Sequence, residues 1–382
     1  MVDVRKIFFV LALMLLVPCR APNVAQAYDE KVYQEQLENS GAGELFEGLP
    51  NEVKSSLEGV GVDAIDFSKI MDVKPEAVLE SVLGAAKKKL PGPMKAISMI
   101  LAVILLNAIF TVLKVSLGER PLAAVLDVVS ALCVCMIIVA PVVEFIARAV
   151  AVIKGATTFL LGYIPVMVGI MVASGQALSS AAFSSMMVAL GDAIAQLSAK
   201  FLVPMLNVFL TVSVVCAISP RFKFAGLCEL FSKIVKWVLG FAMTIFSGIL
   251  TTKSLLGSAV DSVNSKAMKF ALGSFVPVVG GALGDAFLTV QGCVKILKSG
   301  VGAFFIIAMG FIFLPVVVEC IVWTFAVNFC AVAGDIFELS NVSTLLKNIG
   351  KVVSTLMAVI LCIMTVLIIS TVVVLNLGGG GA

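Results

Sequence analysis

The chain contains no histidine among its 382 residues, and only 13% of its residues are charged. Without histidine it lacks the commonest general base, the commonest zinc ligand and the side chain that titrates near neutral pH. Soluble domains carry about 25% charged residues. With 60% hydrophobic residues and a mean hydropathy of +1.12, a chain of this size is not a water-soluble globule.

The sequence also lacks the features of nucleotide-driven or nucleic-acid-binding proteins. Its net charge is only +3, which gives no electrostatic basis for binding nucleic acid. It has no G-x-x-x-x-G-K-[ST] run, so energy from ATP would have to come from another subunit. No nucleophile and base are suitably spaced, and we therefore predict that the protein is not an enzyme and needs no cofactor.

Nine cysteines are present, but their spacing does not indicate a metal site. Cys133 and Cys135 form a C-x-C pair without a second pair at zinc-ribbon spacing. Within apolar helices, cysteine usually acts as a small hydrophobic residue. Residues 28–94 contain no cysteine, so we expect no disulfide framework there.

Long apolar runs after residue 95 predict an all-α, polytopic membrane helix bundle with six to nine true spans. A membrane helix needs about 20 apolar residues, and the clearest runs are 96–117, 122–143, 230–251 and 352–376. The remaining candidate spans are 156–174, 178–199, 201–219, 270–290, 301–320 and 321–334.

The first 27 residues have the pattern of a secretory signal peptide. Arg5 and Lys6 precede an apolar run at residues 7–17, and residues 25–27 read A-Q-A, as at a cleavage site. Arg20 lies between the apolar run and this site, so an uncleaved membrane anchor is the alternative.

Residues 28–94 are predicted to form a small acidic, extracytoplasmic segment of short helices. From residue 28 to residue 90, seven lysines and thirteen acidic residues leave a net charge of −6. Pro75 is suited to open a helix, and Val53, Leu57 and Val60 fall on one helical face. The segment would pack on the membrane domain or on a partner, or form a solvated stalk. The basic run at residues 87–89 argues against an outside location, because such clusters mark cytoplasmic or anionic lipid surfaces.

Two stretches of the membrane region resemble each other, which indicates an internal repeat over about 121–219 and 233–333. Residues 159–166 (FLLGYIPV) resemble residues 270–278 (FALGSFVPV), and residues 201–204 (FLVP) resemble 312–315 (IFLP). The offset is 111 for Phe159/Phe270 and for Pro204/Pro315, and 112 for Pro165/Pro277. Residues 190–193 and 283–286 both read LGDA, but at an offset of 93. Repeats with prolines at matching places are typical of transport proteins.

Prolines within the apolar runs predict broken helices, since each removes a backbone hydrogen bond. A break could expose polar backbone toward a central path, and the alternative is a simple kink. The candidate breaks are Pro141, Pro165, Pro204, Pro277 and Pro315.

Four acidic residues lie within apolar stretches and are candidates for lining a polar path. A charge in the hydrocarbon region costs several kcal/mol, so it should face an interior or a wet cavity. The alternative for each is a structural ion pair or a place near the membrane surface. The four are Asp127, Asp192, Asp285 and Glu319, of which Glu319 and Asp127 give the strongest signal.

Basic residues and small residues give weaker indications of topology and packing. Arg221, Lys223, Lys233 and Lys236 predict a cytoplasmic loop before the span at 230–251, and Lys295 with Lys298 is a weaker marker. Alanine, serine and glycine are frequent at residues 174–185, which favours close helix packing or contacts in a homo-oligomer.

The chain resembles the stage III sporulation protein AE family of endospore-forming bacteria along essentially its whole length. The resemblance rests on the signal-peptide pattern, on LPNEV at residues 49–53 with Leu57 and GVD at 61–63, and on VPVVGG at 276–281. It implies a multi-pass subunit of a secretion-like complex in the mother-cell membrane facing the forespore. It also implies partners from the same operon, including a separate ATPase and ring-forming exterior subunits, and it offers no catalytic residues.

We therefore expect a permease-like or scaffold subunit of a trans-envelope channel, with broken helices around a polar path. The alternative is a stand-alone secondary transporter of a small solute or ion. A transporter should be active in vesicles that contain this chain alone, whereas a channel subunit should require its partners.

Overall fold

A computed structural model describes residues 30–62, 65, 70, 73, 75–117, 120–218, 225–275 and 280–376. Within these ranges the chain is helical, which confirms the predicted all-α class. The predicted signal peptide lies outside the described residues.

In the described ranges, four short helices precede seven longer ones. The short ones are α1 (Glu30–Asn39), α2 (Ala42–Glu47), α3 (Asn51–Glu58) and α4 (Pro75–Lys87). The longer ones are α5 (Pro91–Leu117), α6 (Arg120–Ala173), α7 (Ala177–Gln196), α8 (Val203–Ile218), α9 (Ala225–Phe275), α10 (Gly280–Ile336) and α11 (Ser340–Asn376). Residues Leu197–Leu202 form a π-helical segment between α7 and α8, called the π segment below.

Six helical stretches in the described part of the chain are long and apolar enough to cross a membrane. They are Pro91–Phe110, Val128–Ala173, Ala177–Val215, Glu229–Asn264, Val290–Ile336 and Ser340–Asn376. Several predicted spans therefore merge: 122–143 and 156–174 belong to the single helix α6, and 301–320 and 321–334 both belong to α10. At about 1.5 Å per residue, α6 is about 80 Å long, which exceeds the thickness of one bilayer.

Helix α10 lies at the centre of the bundle and packs antiparallel to both α6 and α11. On the α6 side, Phe159 stacks on Phe305 with ring centroids 5.6 Å apart. On the α11 side, Gly302 packs against Leu375 and Gly350 against the side chain of Asn328. The apolar character of α10 therefore serves mainly to fill a protein core, because 83% of its most apolar window is buried.

The N-terminal helices pack on the membrane domain through α10. Val53 and Leu57 are buried on one face of α3, and Pro75 opens α4, as the sequence predicted. Phe46 of α2 lies 6.3 Å from Phe304 of α10, measured between ring centroids. Of the arrangements considered from the sequence, the structure shows docking on the membrane domain.

One helix boundary, between α6 and α7, has no counterpart at the predicted offset. The turn between α6 and α7 lies at residues 174–176. At an offset of 111 it would correspond to residues 285–287, which lie inside α10.

Candidate functional site

The best-defined polar contact inside the bundle is an ion pair between α6 and α10. The guanidinium Nη2 of Arg148 lies 2.7 Å from Oε1 of Glu319. The Glu319 side chain is only 3% exposed, whereas that of Arg148 is 49% exposed. The carboxylate thus faces the interior of the bundle and makes a structural ion pair, the alternative that the sequence left open beside a polar path, and its partner extends to the surface.

Aromatic side chains surround this pair. Phe145, one turn before Arg148, lies 6.4 Å from Trp323, one turn after Glu319. The guanidinium carbon of Arg148 is 6.0 Å from the centroid of the Phe145 ring. The guanidinium of Arg148 thus lies near the Phe145 ring of its own helix and bonds the carboxylate of α10, so that its charge compensates the buried carboxylate.

A second polar feature lies on the outer face of α7 and continues into the π segment. Nε2 of Gln196 donates a 2.7 Å hydrogen bond to Asp192, and Nζ of Lys200 lies 3.4 Å from Oε1 of Gln196. All three side chains are exposed and follow at intervals of four residues along one helix face. We call Asp192, Gln196 and Lys200 the polar ladder.

Pro204 explains the change in helix geometry beside the ladder. Proline has no N–H, so the carbonyl four residues earlier, at Lys200, loses its usual helical partner. The π segment covers residues Leu197–Leu202 and ends directly before α8, whose second residue is Pro204. Such segments are frequent at functional sites.

The other predicted helix breaks differ from the structure. Helix α6 continues through Pro141 and Pro165, and α10 continues through Pro315. A proline removes one hydrogen bond, and packing of the helix on both sides of it can maintain the helical path. Pro277 lies outside the described residues.

The four candidate acidic residues do not converge on one site. Asp127 is in α6 and Asp285 is in α10, but their side chains lie outside the described part of the structure. Residues 285 and 319 are on the same continuous helix, about 50 Å apart at 1.5 Å per residue. Residue 127 is about 30 Å along α6 from Arg148, the partner of Glu319.

A buried polar junction joins α6, α7, α9 and α10 at the turn formed by residues 174–176. Both carboxylate oxygens of Asp261 accept backbone hydrogen bonds at the start of α7, from Leu178 at 3.0 Å and Ser179 at 2.8 Å. Nζ of Lys298 donates a 2.8 Å hydrogen bond to Gln176. Asp261 and Lys298 are each 3% exposed. Lys298, expected from the sequence as a weak marker of the cytoplasmic side, has its side chain inside the bundle.

The junction forms because α7 has no capping side chain of its own. Its N-cap residue, Gln176, makes no side-chain capping bond, so the Asp261 carboxylate from α9 supplies the acceptors. Gly257, one turn earlier on α9, permits this approach. A Cβ at that position would lie 3.1 Å from the Cα of Ser179.

Sequence reasoning missed Arg148, Asp261 and the buried role of Lys298 for one common reason. All three lie in gaps between predicted spans, which were interpreted as connections, and the structure continues a helix through each gap. Residues 144–154 contain neither glycine nor proline, and this absence of a turn signal could have revealed the continuous α6. Lys233 and Lys236, expected in a loop, likewise lie within α9.

A small cavity lies beside the π segment of the described structure. This cavity of about 40 Å³ lies among Leu197, Phe201, Val235, Leu239 and Val359, and its accessible lining is apolar. That volume would hold a few water molecules at most. Among the described residues no group of three or more cysteine, aspartate or glutamate side chains is placed to hold a metal ion.

The geometry defines an all-helical, polytopic membrane protein with a partly buried ion pair and an exposed polar ladder. The chain belongs to the stage III sporulation protein AE family, whose sequence model matches residues 64–378. It is also 28% identical over 150 residues to the stage III sporulation protein AE of Bacillus subtilis strain 168. That alignment covers 39% of this chain and 38% of the relative. No solved structure matches the chain.

Family membership assigns this membrane protein a role in sporulation. The family's name describes a sporulation protein and no catalytic activity.

Proposed function

We propose that this protein is the membrane-embedded, permease-like or scaffold subunit of a trans-envelope channel complex required for endospore formation. The complex would lie in the mother-cell membrane facing the forespore. Its other members would be membrane and ring proteins of the same sporulation operon, with a separate ATPase supplying energy.

The polar ladder is the observation that carries this proposal. An exposed anion, amide and cation follow one another on a helix whose flanking residues 178–191 and 201–215 carry no charge. If these charged and polar groups faced lipid, burying them in hydrocarbon would cost several kcal/mol of free energy. Their position therefore indicates contact with water or with another polar surface. The ladder lies on the outside of α7, and a path along it would therefore run between this chain and its neighbours.

This arrangement favours a subunit of an assembly over a stand-alone transporter. A transporter of a small solute needs an internal binding site, whereas the cavity of about 40 Å³ beside the π segment would hold only a few waters. Solute uptake by vesicles that contain this chain alone would contradict the proposal.

The test replaces the corresponding protein of an endospore-forming host with variants of this chain. We expect Asp192→Asn combined with Lys200→Gln to lower spore yield on the order of tenfold or more, at an unchanged protein level, because both charges of the ladder are lost. Lys253→Gln is the matched control, since Lys253 is exposed on α9 away from the ladder. An unchanged spore yield in the double variant would exclude a role for the ladder.

A further inference from the structure

Basic side chains from several helices lie at one level near the middle of the bundle. We call them the basic band: Lys95, Arg148, Lys200, Lys233, Lys236 and Lys351. They lie within helices or the π segment, although basic residues of membrane proteins usually lie in loops beside the spans. Their common level follows from contacts between neighbouring helices.

The first group of contacts aligns α9, α11 and the π segment. The Ser232 hydroxyl lies 2.8 Å from that of Thr355, and Lys236 Nζ lies 3.5 Å from Ser354 Oγ. Lys233 and Lys351 are within one turn of these contacts. The small cavity described above places the π segment, and hence Lys200, beside residues 234–239 of α9.

The second group brings α6, α10 and α5 to the same level. Because α10 and α11 are antiparallel, with Gly302 beside Leu375 and Gly350 beside Asn328, Glu319 lies opposite residues 358–359. Its partner Arg148 is therefore level with the cavity at Val359. On α5, Pro93 and Ala96 line a narrow gap together with Trp323, which is one turn after Glu319. Lys95 lies between Pro93 and Ala96 in the sequence and is therefore at the same level.

Five of the six side chains of the band point outward, and Lys351 is half-buried. Lys95, Lys200 and Lys236 are exposed, and the side chains of Lys233 and Arg148 are 74% and 49% exposed. Acidic residues at this level are Glu144, Glu229 and Glu319. Of these, Glu319 is buried beneath Arg148 and Glu229 is paired with Lys233 at 2.7 Å. The surface of the band is therefore predominantly positive.

An aromatic side chain accompanies the band at its edge. Trp237 follows Lys236, is 70% exposed, and stacks on Phe241 with ring centroids 5.6 Å apart. Tryptophan is enriched where the hydrocarbon of a bilayer meets its headgroups, and long basic side chains reach that level with their charged ends. Exposed lysines deep in hydrocarbon would be far more costly.

We propose that the basic band lies at a headgroup plane of the bilayer and binds the phosphates of anionic phospholipids. The band thereby fixes the height of the long helices in the membrane. The inference depends on membrane insertion and shares Lys200 with the channel proposal, and the depth measurement on Trp237 tests it without changing Lys200.

The depth of Trp237 tests the position of the band in full-length protein reconstituted into phosphatidylcholine–phosphatidylglycerol vesicles. Lipids carry a spin label either near the headgroup or at the end of the acyl chain. The chain has two tryptophans, and the Trp237→Phe variant supplies the background from Trp323, which is only 2% exposed. We expect the shallow label to quench Trp237 more strongly. Stronger quenching by the deep label, or none by either, would overturn the proposal.

The lipid preference is tested with brominated phosphatidylglycerol and brominated phosphatidylcholine as quenchers of Trp237. We expect phosphatidylglycerol to be preferred, and Lys233→Gln with Lys236→Gln to reduce that preference on the order of tenfold. Lys253→Gln with Lys266→Gln removes the same charge from exposed positions on the same helix and should leave the preference unchanged. Equal losses in both double variants would show a general charge effect and contradict a specific band. The depth measurement needs no change of a basic residue, so it remains decisive if the double variant misfolds.

Discussion

Glu319 of α10 is buried in the bundle, and the guanidinium group of Arg148 on α6 lies 2.7 Å from its carboxylate. The Arg148 side chain is about half exposed at the surface. The two residues are 171 positions apart in the sequence, so the pair fixes the register between two long helices. This asymmetry makes the two possible deletions unequal.

Arg148→Ala should destabilise the protein more than Glu319→Gln does. The first variant leaves a buried carboxylate without its cation, which costs about 2–4 kcal/mol, a value reduced from that of a fully buried pair because Arg148 is half exposed. The second variant removes the buried charge itself. The measurement is the midpoint of thermal unfolding in detergent. Equal unfolding midpoints for Arg148→Ala and the wild type would show that water compensates the charge of the Glu319 carboxylate.

Asp261→Ala should loosen the start of α7. Both carboxylate oxygens cap backbone N–H groups there, and burying those donors without acceptors costs about 1–3 kcal/mol. Thermal unfolding in detergent reports the change. Asp192→Ala is the control, because that exposed carboxylate makes only a side-chain contact with Gln196. If both variants unfold alike, the capping bonds contribute nothing measurable.

Gly257→Ala should weaken the contact between α7 and α9 by about 1–3 kcal/mol, because the added methyl group would meet the backbone of Ser179. Gly248→Ala on the same helix is the matched control, since no atom lies within 4 Å of a Cβ there. That control should be neutral or stabilising by up to about 1 kcal/mol, as for any helical glycine replaced by alanine. Unfolding midpoints in detergent distinguish the two, and the opposite order would contradict the close approach.

Phe46→Ala should release the N-terminal helices from α10. Its ring packs on Phe304, and loss of that contact favours local opening of the docked segment. We expect limited proteolysis within residues 30–87 to accelerate by about tenfold. Leu83→Ala provides the comparison, because Leu83 lies in the same segment but is 43% exposed. An unchanged cleavage rate would indicate that other contacts alone hold the segment.

The class of fold could be predicted from the sequence because hydropathy alone determines it. The ends of the helices could not, since a window of about 20 residues divides a helix such as α6 wherever charges occur. Glu319 was identified because it interrupts an apolar run. Asp261 was missed because its role depends on the N–H groups at the start of α7. Tertiary packing brings these groups to it from positions that are 82 and 83 residues away in the sequence.

The continuity of α10 has a mechanical consequence. The segment that docks near Phe304 and the ion pair at Glu319 share one hydrogen-bonded rod, with about 22 Å between the two positions. A force that tilts the docked segment is therefore transmitted along α10 to Glu319. Pro315 lies between the two positions and is where this helix bends most readily. Work done on the docked segment would thus reach the Arg148–Glu319 pair through a single helix.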